Sequence, residues 1–246
     1  MDDADKRNWT YSEYLNLREL LELQGEDRGI SSDEMHFIIV HQTFELWFKQ
    51  IIRELSEARD ILSQEIVPEN DIPVAVDHLC RTTEIFRLMA NQWTVLETLT
   101  PQGFLSFRDG LGTASGFESY QMREFEILIG LENSDRLGGM DPLDSFRKMA
   151  ERGEGDSRIL AHLEKMKELP SLRESLMNWI ERTPIMGSIY GSNGDLKSVS
   201  EYIDAHLEAH KKICDSTSGS SEMMAERMRA VHEGAKSFLK PGGAVS

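Results

Sequence analysis

Ser31-Ser-Asp-Glu34-Met-His-Phe37-Ile-Ile-Val-His41-Gln-Thr-Phe44-Glu45-Leu-Trp47-Phe48-Lys49-Gln-Ile-Ile52 opens the longest regular stretch of the chain. A Ser followed three residues later by Glu is a helix-start signature: the hydroxyl accepts from the third amide and the carboxylate reaches back. From there Met35, Ile38, Ile39, Gln42, Leu46, Ile52 and Leu55 follow helical periods, with no Gly or Pro before Ser63. One uninterrupted helix is predicted to about Ser63, far longer than a strand would run. Phe37, His41, Phe44, Glu45 and Phe48 share an adjoining face. A His among aromatic rings reads either as a satisfied core imidazole or as a catalytic group, and the residues alone leave both open.

The rest of the chain repeats the pattern. Residues 9–24 read as a short amphipathic helix with early aromatics (Trp9, Tyr11, Tyr14), ended by Gly25 and Gly29. Residues 72–100 predict another helix, with Val76, Leu79, Cys80, Thr83, Phe86, Ala90, Trp93 and Leu96 near one face; Cys80 is read as a small buried hydrophobe. Pro101-Gln-Gly103 breaks it. Residues 131–158 are polar and Gly-rich, with a short helix at Asp144–Glu151, and helices follow over 159–181, 198–214 and 222–239. Strand-like alternation is scarce. The expectation is an all-α helical bundle, one domain over 1–246 with residues 1–30 as an N-terminal arm, and any cofactor between facing helices.

A net charge of −16 is the wrong sign for nucleic acid or an anionic membrane surface. No apolar run approaches the roughly 20 residues that span a bilayer, and the acidic Met1-Asp-Asp-Ala-Asp start has no secretory h-region. Two cysteines, Cys80 and Cys214, suit a reducing cytoplasm rather than a disulfide framework. These features point to a small-molecule partner in the cytoplasm.

The most unusual residues come late. In Glu201-Tyr-Ile-Asp-Ala-His206-Leu-Glu-Ala-His210-Lys-Lys-Ile-Cys214, the residues Tyr202, His206, His210 and Cys214 recur every four positions, one helical stripe. Leu207 and Ile213 flank it and are expected to turn it inward. The stripe reads as a half-buried face, as part of a zinc site, or as a haem site. Zinc needs three or four ligands, more than one helical turn presents well. The usual covalent haem signature, C-x-x-C-H, is absent.

Two blocks carry a family resemblance. Asp33-Glu-Met-His-Phe37-Ile-Ile-Val-His41-Gln42-Thr-Phe-Glu45-Leu-Trp47-Phe-Lys49 and Phe104-Leu-Ser-Phe107-Arg108-Asp-Gly-Leu-Gly-Thr-Ala-Ser115-Gly116-Phe117-Glu-Ser119 resemble the tryptophan 2,3-dioxygenase superfamily of histidine-ligated, haem-dependent aromatic oxygenases. Tyr11-x-x-Tyr14 and the Trp179-x-x-Arg182-Thr-Pro184 corner agree with it. The resemblance implies an all-α fold of that type with haem between helices. It implies His41 as the catalytic hydrogen-bonding or acid/base group, Arg108 as the grip on a substrate carboxylate, and Phe37 and Phe104 as the ring pocket. Ser115 and Gly116 would lie at the haem edge. Tyr11 and Tyr14 would reach an active site, often a neighbouring subunit's, which implies a homodimer or larger. His210 would ligate the iron, with His206 as its rival, and Cys214 would anchor the haem by a single thioether. Arg123 and Glu126 read as an internal ion pair, and His232 as a surface residue.

Some superfamily members that hydroxylate tyrosine-like substrates share the H-x-x-x-C element. The loop after the proximal helix also departs from the dioxygenase's Gly-Thr-Gly-Gly-Ser-Ser-Gly, reading Ser216-Thr-Ser-Gly219-Ser-Ser221 here. On those two grounds the expected activity is hydroxylation of L-tyrosine or a close analogue beside its phenol, with peroxide or O2, in secondary metabolism such as antibiotic biosynthesis. The alternatives are tryptophan 2,3-dioxygenase chemistry and a non-catalytic haem-binding protein.

Overall fold

The computed structural model describes residues 8–112, 115–133, 141, 143–153, 157–188, 191–217 and 222–239. Among these, every regular element is helical, and no helix is long and apolar enough to cross a membrane. The all-α expectation is met. The chain divides into two compact units, Met1–Leu172 and Arg173–Ser246, and each is described by itself.

The first unit is built on α3 (Ser32–Leu62). Ser31 caps it by accepting from the Glu34 amide, as the sequence predicts. α4 (Asp71–Leu96) and α6 (Tyr120–Ile129) pack against α3, and α8 (Ser157–Lys167) packs on α6. Ile51 and Leu55 of α3, Ile85 and Met89 of α4, and Leu128 of α6 form the buried core, with Trp47, Phe48, Phe86 and Phe125 closing around it. A second cluster joins Leu143 to Phe146 of α7 (Asp144–Glu151) and Leu163 of α8.

The helix bounds were more legible than their phases. α7 falls where the sequence puts it. The 9–24 segment is two short helices, α1 (Tyr11–Leu15) and α2 (Leu17–Leu20), because Asn16 adopts a left-handed conformation with φ 48°. Thr10 and Glu13 form a complete capping box there. On α4 the core face runs through Ala75, Thr82, Ile85 and Met89; Val76, Cys80 and Trp93 are exposed, so Cys80 is not the buried hydrophobe expected of it. Apolar residues sit on both sides of α4, and the choice of face is made by α3.

α5 (Pro101–Arg108) starts with Thr100 accepting from the Gly103 amide and Pro101 in the first turn. A Cβ at Gly103 would collide with the Asp33 carboxylate, so glycine is what lets the first turns of α5 and α3 approach.

A polar clamp ties α3 to α4. The carboxylate of Glu54, 3% exposed, accepts from Arg81 at 2.7 and 2.8 Å, from His78 Nδ1 at 2.6 Å, and from Gln50. His78 Nε2 lies 3.3 Å from Glu57. Burial pushes the Glu54 carboxyl up, but the bonds from Arg81, His78 and Gln50 outweigh it and hold it below the usual carboxylate range. Arg123 and Glu126 pair at 2.8 Å, as the sequence suggests.

The second unit contains α9 beyond its first residue (Leu172–Arg182), α10 (Asp195–Thr217) and α11 (Glu222–Leu239), the last two packed together. Residues 218–221, where the post-helix loop departs from the dioxygenase pattern, lie outside the described residues.

Removing the clamp has a signed pH consequence. A depressed folded pKa stabilises fully above the unfolded carboxylate value of about 4.3, and that contribution is lost as pH falls through the folded value. Glu54→Gln should therefore flatten the fall in melting temperature between about pH 5 and 3. At pH 7 Glu54→Ala should cost about 2 kcal/mol in denaturant unfolding, since His78 and Arg81 lose their shared acceptor. An unchanged midpoint would show the clamp to be energetically idle.

Candidate functional site

An apolar groove of about 1070 Å3 runs along the N-terminal half of α3. Phe37, Ile38, His41, Gln42 and Glu45 supply one wall, Leu20, Leu21 and Leu23 the rim, and Leu111, Ser115 and Gly116 the far side. Its volume is at the upper end for small-molecule sites, more than one aromatic amino acid would fill. Of the residues singled out in the sequence, Phe37, His41, Ser115 and Gly116 meet here.

His41 is held in one tautomer. Its Nδ1 is 2.7 Å from the Phe37 carbonyl oxygen, which can only accept, so Nδ1 carries the proton and Nε2 keeps a lone pair. Phe37 packs against this imidazole at 4.0 Å between centroids, the two rings tilted by 36°. Phe104 and Phe107 pack behind Phe37 at 5.9 and 5.5 Å and meet each other edge-on. Phe104 thus stands behind Phe37, buttressing the groove wall. The helix explains the arrangement: His41 and Phe37 are four apart on α3, so ring and carbonyl fall on one face.

Arg108 ends α5. It is half-buried, and Nη1 donates to the Gly112 carbonyl at 3.1 Å, outside the groove lining. Gly112 sits at φ 58°, a conformation glycine alone adopts readily, and this brings its carbonyl back within reach. Tyr11 and Tyr14 are 76% and 72% exposed and stand outside the lining of this groove.

Glutamines, which the sequence reading passed over, fix the groove's edges. Gln24, nearly buried, donates to the Leu20 carbonyl and to Gln42 Oε1, both at 2.9 Å, while Gln42 Nε2 donates to the Leu23 carbonyl at 2.9 Å. Gln121 of α6 donates to Glu45 at both its backbone and side-chain oxygens. Gln42 lies within the sequence block quoted above, but nothing local marks Gln24 as its partner.

In the second unit the expected inward stripe is only partly buried. Leu207 and Cys214 are buried, His210 is half-buried, and Tyr202, His206 and Ile213 are exposed. Ile213 does not turn the stripe inward, because α11 covers the adjoining side of α10. There, His210 Nδ1 lies 3.1 Å from His232 Nδ1 and 3.6 Å from Cys214 Sγ. His232 is consequently not the plain surface residue it was taken for. Among the described residues no group of three or more His, Cys, Asp or Glu side chains is arranged to hold a metal ion, which leaves the zinc reading without a ligand set.

A family model described as tryptophan 2,3-dioxygenase matches residues 1–241. Tryptophan 2,3-dioxygenase 2 of Ralstonia nicotianae is 41% identical over 189 residues, covering 73% of this chain and 50% of the relative. The tryptophan 2,3-dioxygenase of Sorangium cellulosum is 38% identical over 191 residues, 74% and 45% of the two chains, and that of Alteromonas mediterranea 39% over 180 residues, 72% and 48%. The chain spans about half the length of these curated relatives. Their shared name corrects the expected tyrosine hydroxylation: similarity at 38–41% runs to dioxygenases that act on tryptophan. The grounds for hydroxylation were Cys214 and the 216–221 loop, two local features that weigh little against likeness spread over more than 180 residues.

The glutamine ties make a direct prediction. Gln42→Leu leaves the Leu23 carbonyl and one Gln24 N–H without partners. It should cost about 1–2 kcal/mol and speed hydrogen exchange selectively in residues 20–28. Uniform or unchanged exchange would show that the rim is held by other contacts.

Proposed function

Because the chain belongs to the tryptophan 2,3-dioxygenase family, we propose that it is a haem-dependent dioxygenase that opens the indole ring of L-tryptophan with O2. The observation that carries this reading is His41, an imidazole with a fixed acceptor nitrogen on the wall of a large apolar groove. Indole presents an N–H, and a neutral Nε2 is its complement. A phenol hydroxyl makes no such one-sided demand.

Haem, when bound, supplies the redox-active iron that allows O2 to react with an aromatic ring. The donor chemistry on α10 fits it, since a half-buried imidazole is a side chain that would hold a haem iron. We assign that role to His210: its ring is fixed against α11, whereas His206 is exposed, with the Tyr202 ring beside it at 6.3 Å. The groove's mostly apolar lining offers an aromatic ring a low-dielectric wall on the α3 side, which strengthens polar contacts made against it. The protein's part is then to orient and to hold protons. His41 Nε2 accepts from the indole N–H, with its proton kept on Nδ1 by the Phe37 carbonyl. Arg108 exchanges the Gly112 carbonyl for the substrate carboxylate, a charge-assisted and stronger partner. Tyr11 and Tyr14, exposed on the N-terminal arm, supply cover for the groove of a neighbouring copy in a homo-oligomer.

The thioether at Cys214 stands with the hydroxylase reading and is not carried further. The thiol is buried beside His210, a packing position for a small apolar group, and this supports a haem held without a covalent bond.

Four measurements test the proposal. The haem-loaded chain should consume O2 and deplete indole absorbance with L-tryptophan and not with L-tyrosine; no turnover with either would favour a haem-binding protein without catalysis. His41→Ala should lower kcat/KM for L-tryptophan about tenfold, the worth of one hydrogen bond, and much less for 1-methyl-tryptophan, which has no N–H to offer. Arg108→Ala should weaken the substrate-induced spectral shift about 10- to 100-fold; an unaltered affinity would remove Arg108 from the site. Haem should extract fully into acidified organic solvent, and haem mass retained on the denatured chain would reinstate Cys214 as an anchor.

A further inference from the structure

The His210–His232 contact has a chemical condition attached. Two Nδ1 atoms 3.1 Å apart, in rings inclined by only 9°, form a hydrogen bond only if one carries the proton and the other the lone pair. Two lone pairs, or two N–H groups, would repel at that distance. The rings are therefore locked in opposite Nδ1 states. In one arrangement His210 Nδ1–H donates to His232, leaving His210 Nε2 with its lone pair. In the other His232 donates, and His210 Nε2 carries a hydrogen that blocks it as a ligand.

Cys214 does not change this choice. Its Sγ lies 3.6 Å from the same nitrogen, but sulfur is a weak acceptor beside an imidazole nitrogen. The partner on a ligating histidine's second nitrogen orients the ring, fixes its tautomer and raises its basicity. We propose that His232 is a positioning residue that holds His210 in the tautomer with Nε2 free and thereby sets its donor strength toward the haem iron. This rests on the reading of His210 as the axial ligand. His232 reaches that role from α11, an element that none of the sequence motifs includes.

Two experiments on the full chain test it. In the haem-free protein, nitrogen NMR of labelled histidines at neutral pH should find His210 protonated at Nδ1; a proton on Nε2 overturns the proposal without any variant. In the haem-loaded protein, His232→Phe keeps a ring but removes the acceptor, whereas His232→Gln restores an acceptor oxygen. His232→Phe should lower the ferrous iron–imidazole stretching frequency, raise the haem midpoint potential, and weaken haem retention about tenfold or more. His232→Gln should return all three toward wild type. If His210→Ala abolishes the iron–imidazole band while His232→Phe leaves frequency and potential unchanged, the positioning role is wrong and the ligand assignment survives. If His206→Ala abolishes the band instead, the ligand assignment itself fails, and the role of His232 falls with it.

Discussion

Burial of Ile51, Leu55 and Ala58 fixes the rotation of α3, and most of the first unit depends on that one constraint. A helix is rigid in phase, so what is decided at Ile51 is transmitted to His41, ten residues and about 15 Å away. The same helix thus packs the core at one end and aims an imidazole at a groove from the other. The Glu54 clamp reinforces the constraint at its midpoint, where a charge removed from water is tolerated because three donors converge on it. The catalytic candidates need no loop to position them.

This is also why the sequence could be read as far as it was. The capping Ser31, the unbroken apolar period and the Asp144–Glu151 helix are local features, and local features survive into the structure unchanged. What failed was whatever depended on a partner distant in sequence. α4 offers two apolar faces, and the pattern over 72–100 cannot say which one α3 will cover. The spacing around Arg108 does not show that its guanidinium turns back on the carbonyl of Gly112 in its own turn. His232 is invisible as a partner until α11 folds back on α10. Spacing placed Cys214 beside His210 correctly, and spacing says nothing about whether a thiol there is reactive or merely buried.

Two histidines in this chain are governed by the same device. At His41 a backbone carbonyl dictates where the ring proton sits, and the outcome is fixed because the carbonyl has no alternative role. At His210 the partner is another imidazole, so one ring must donate and the other accept, and the proton on His210 Nδ1 requires a lone pair on His232 Nδ1. One ring is set by covalent geometry four residues away; the other is set by tertiary packing.

The interlocked amides of Gln24 and Gln42 bear on how such a groove could diversify. They weld the rim to the helix behind it, so groove width is a property of one solid piece and not of a hinge. Altered ligand preference would then come from exchanging side-chain bulk at Leu20, Leu23 or Met35 against an unmoving frame, small steps whose effects add independently. A pocket framed in this way is open to gradual change in taste without a change in shape.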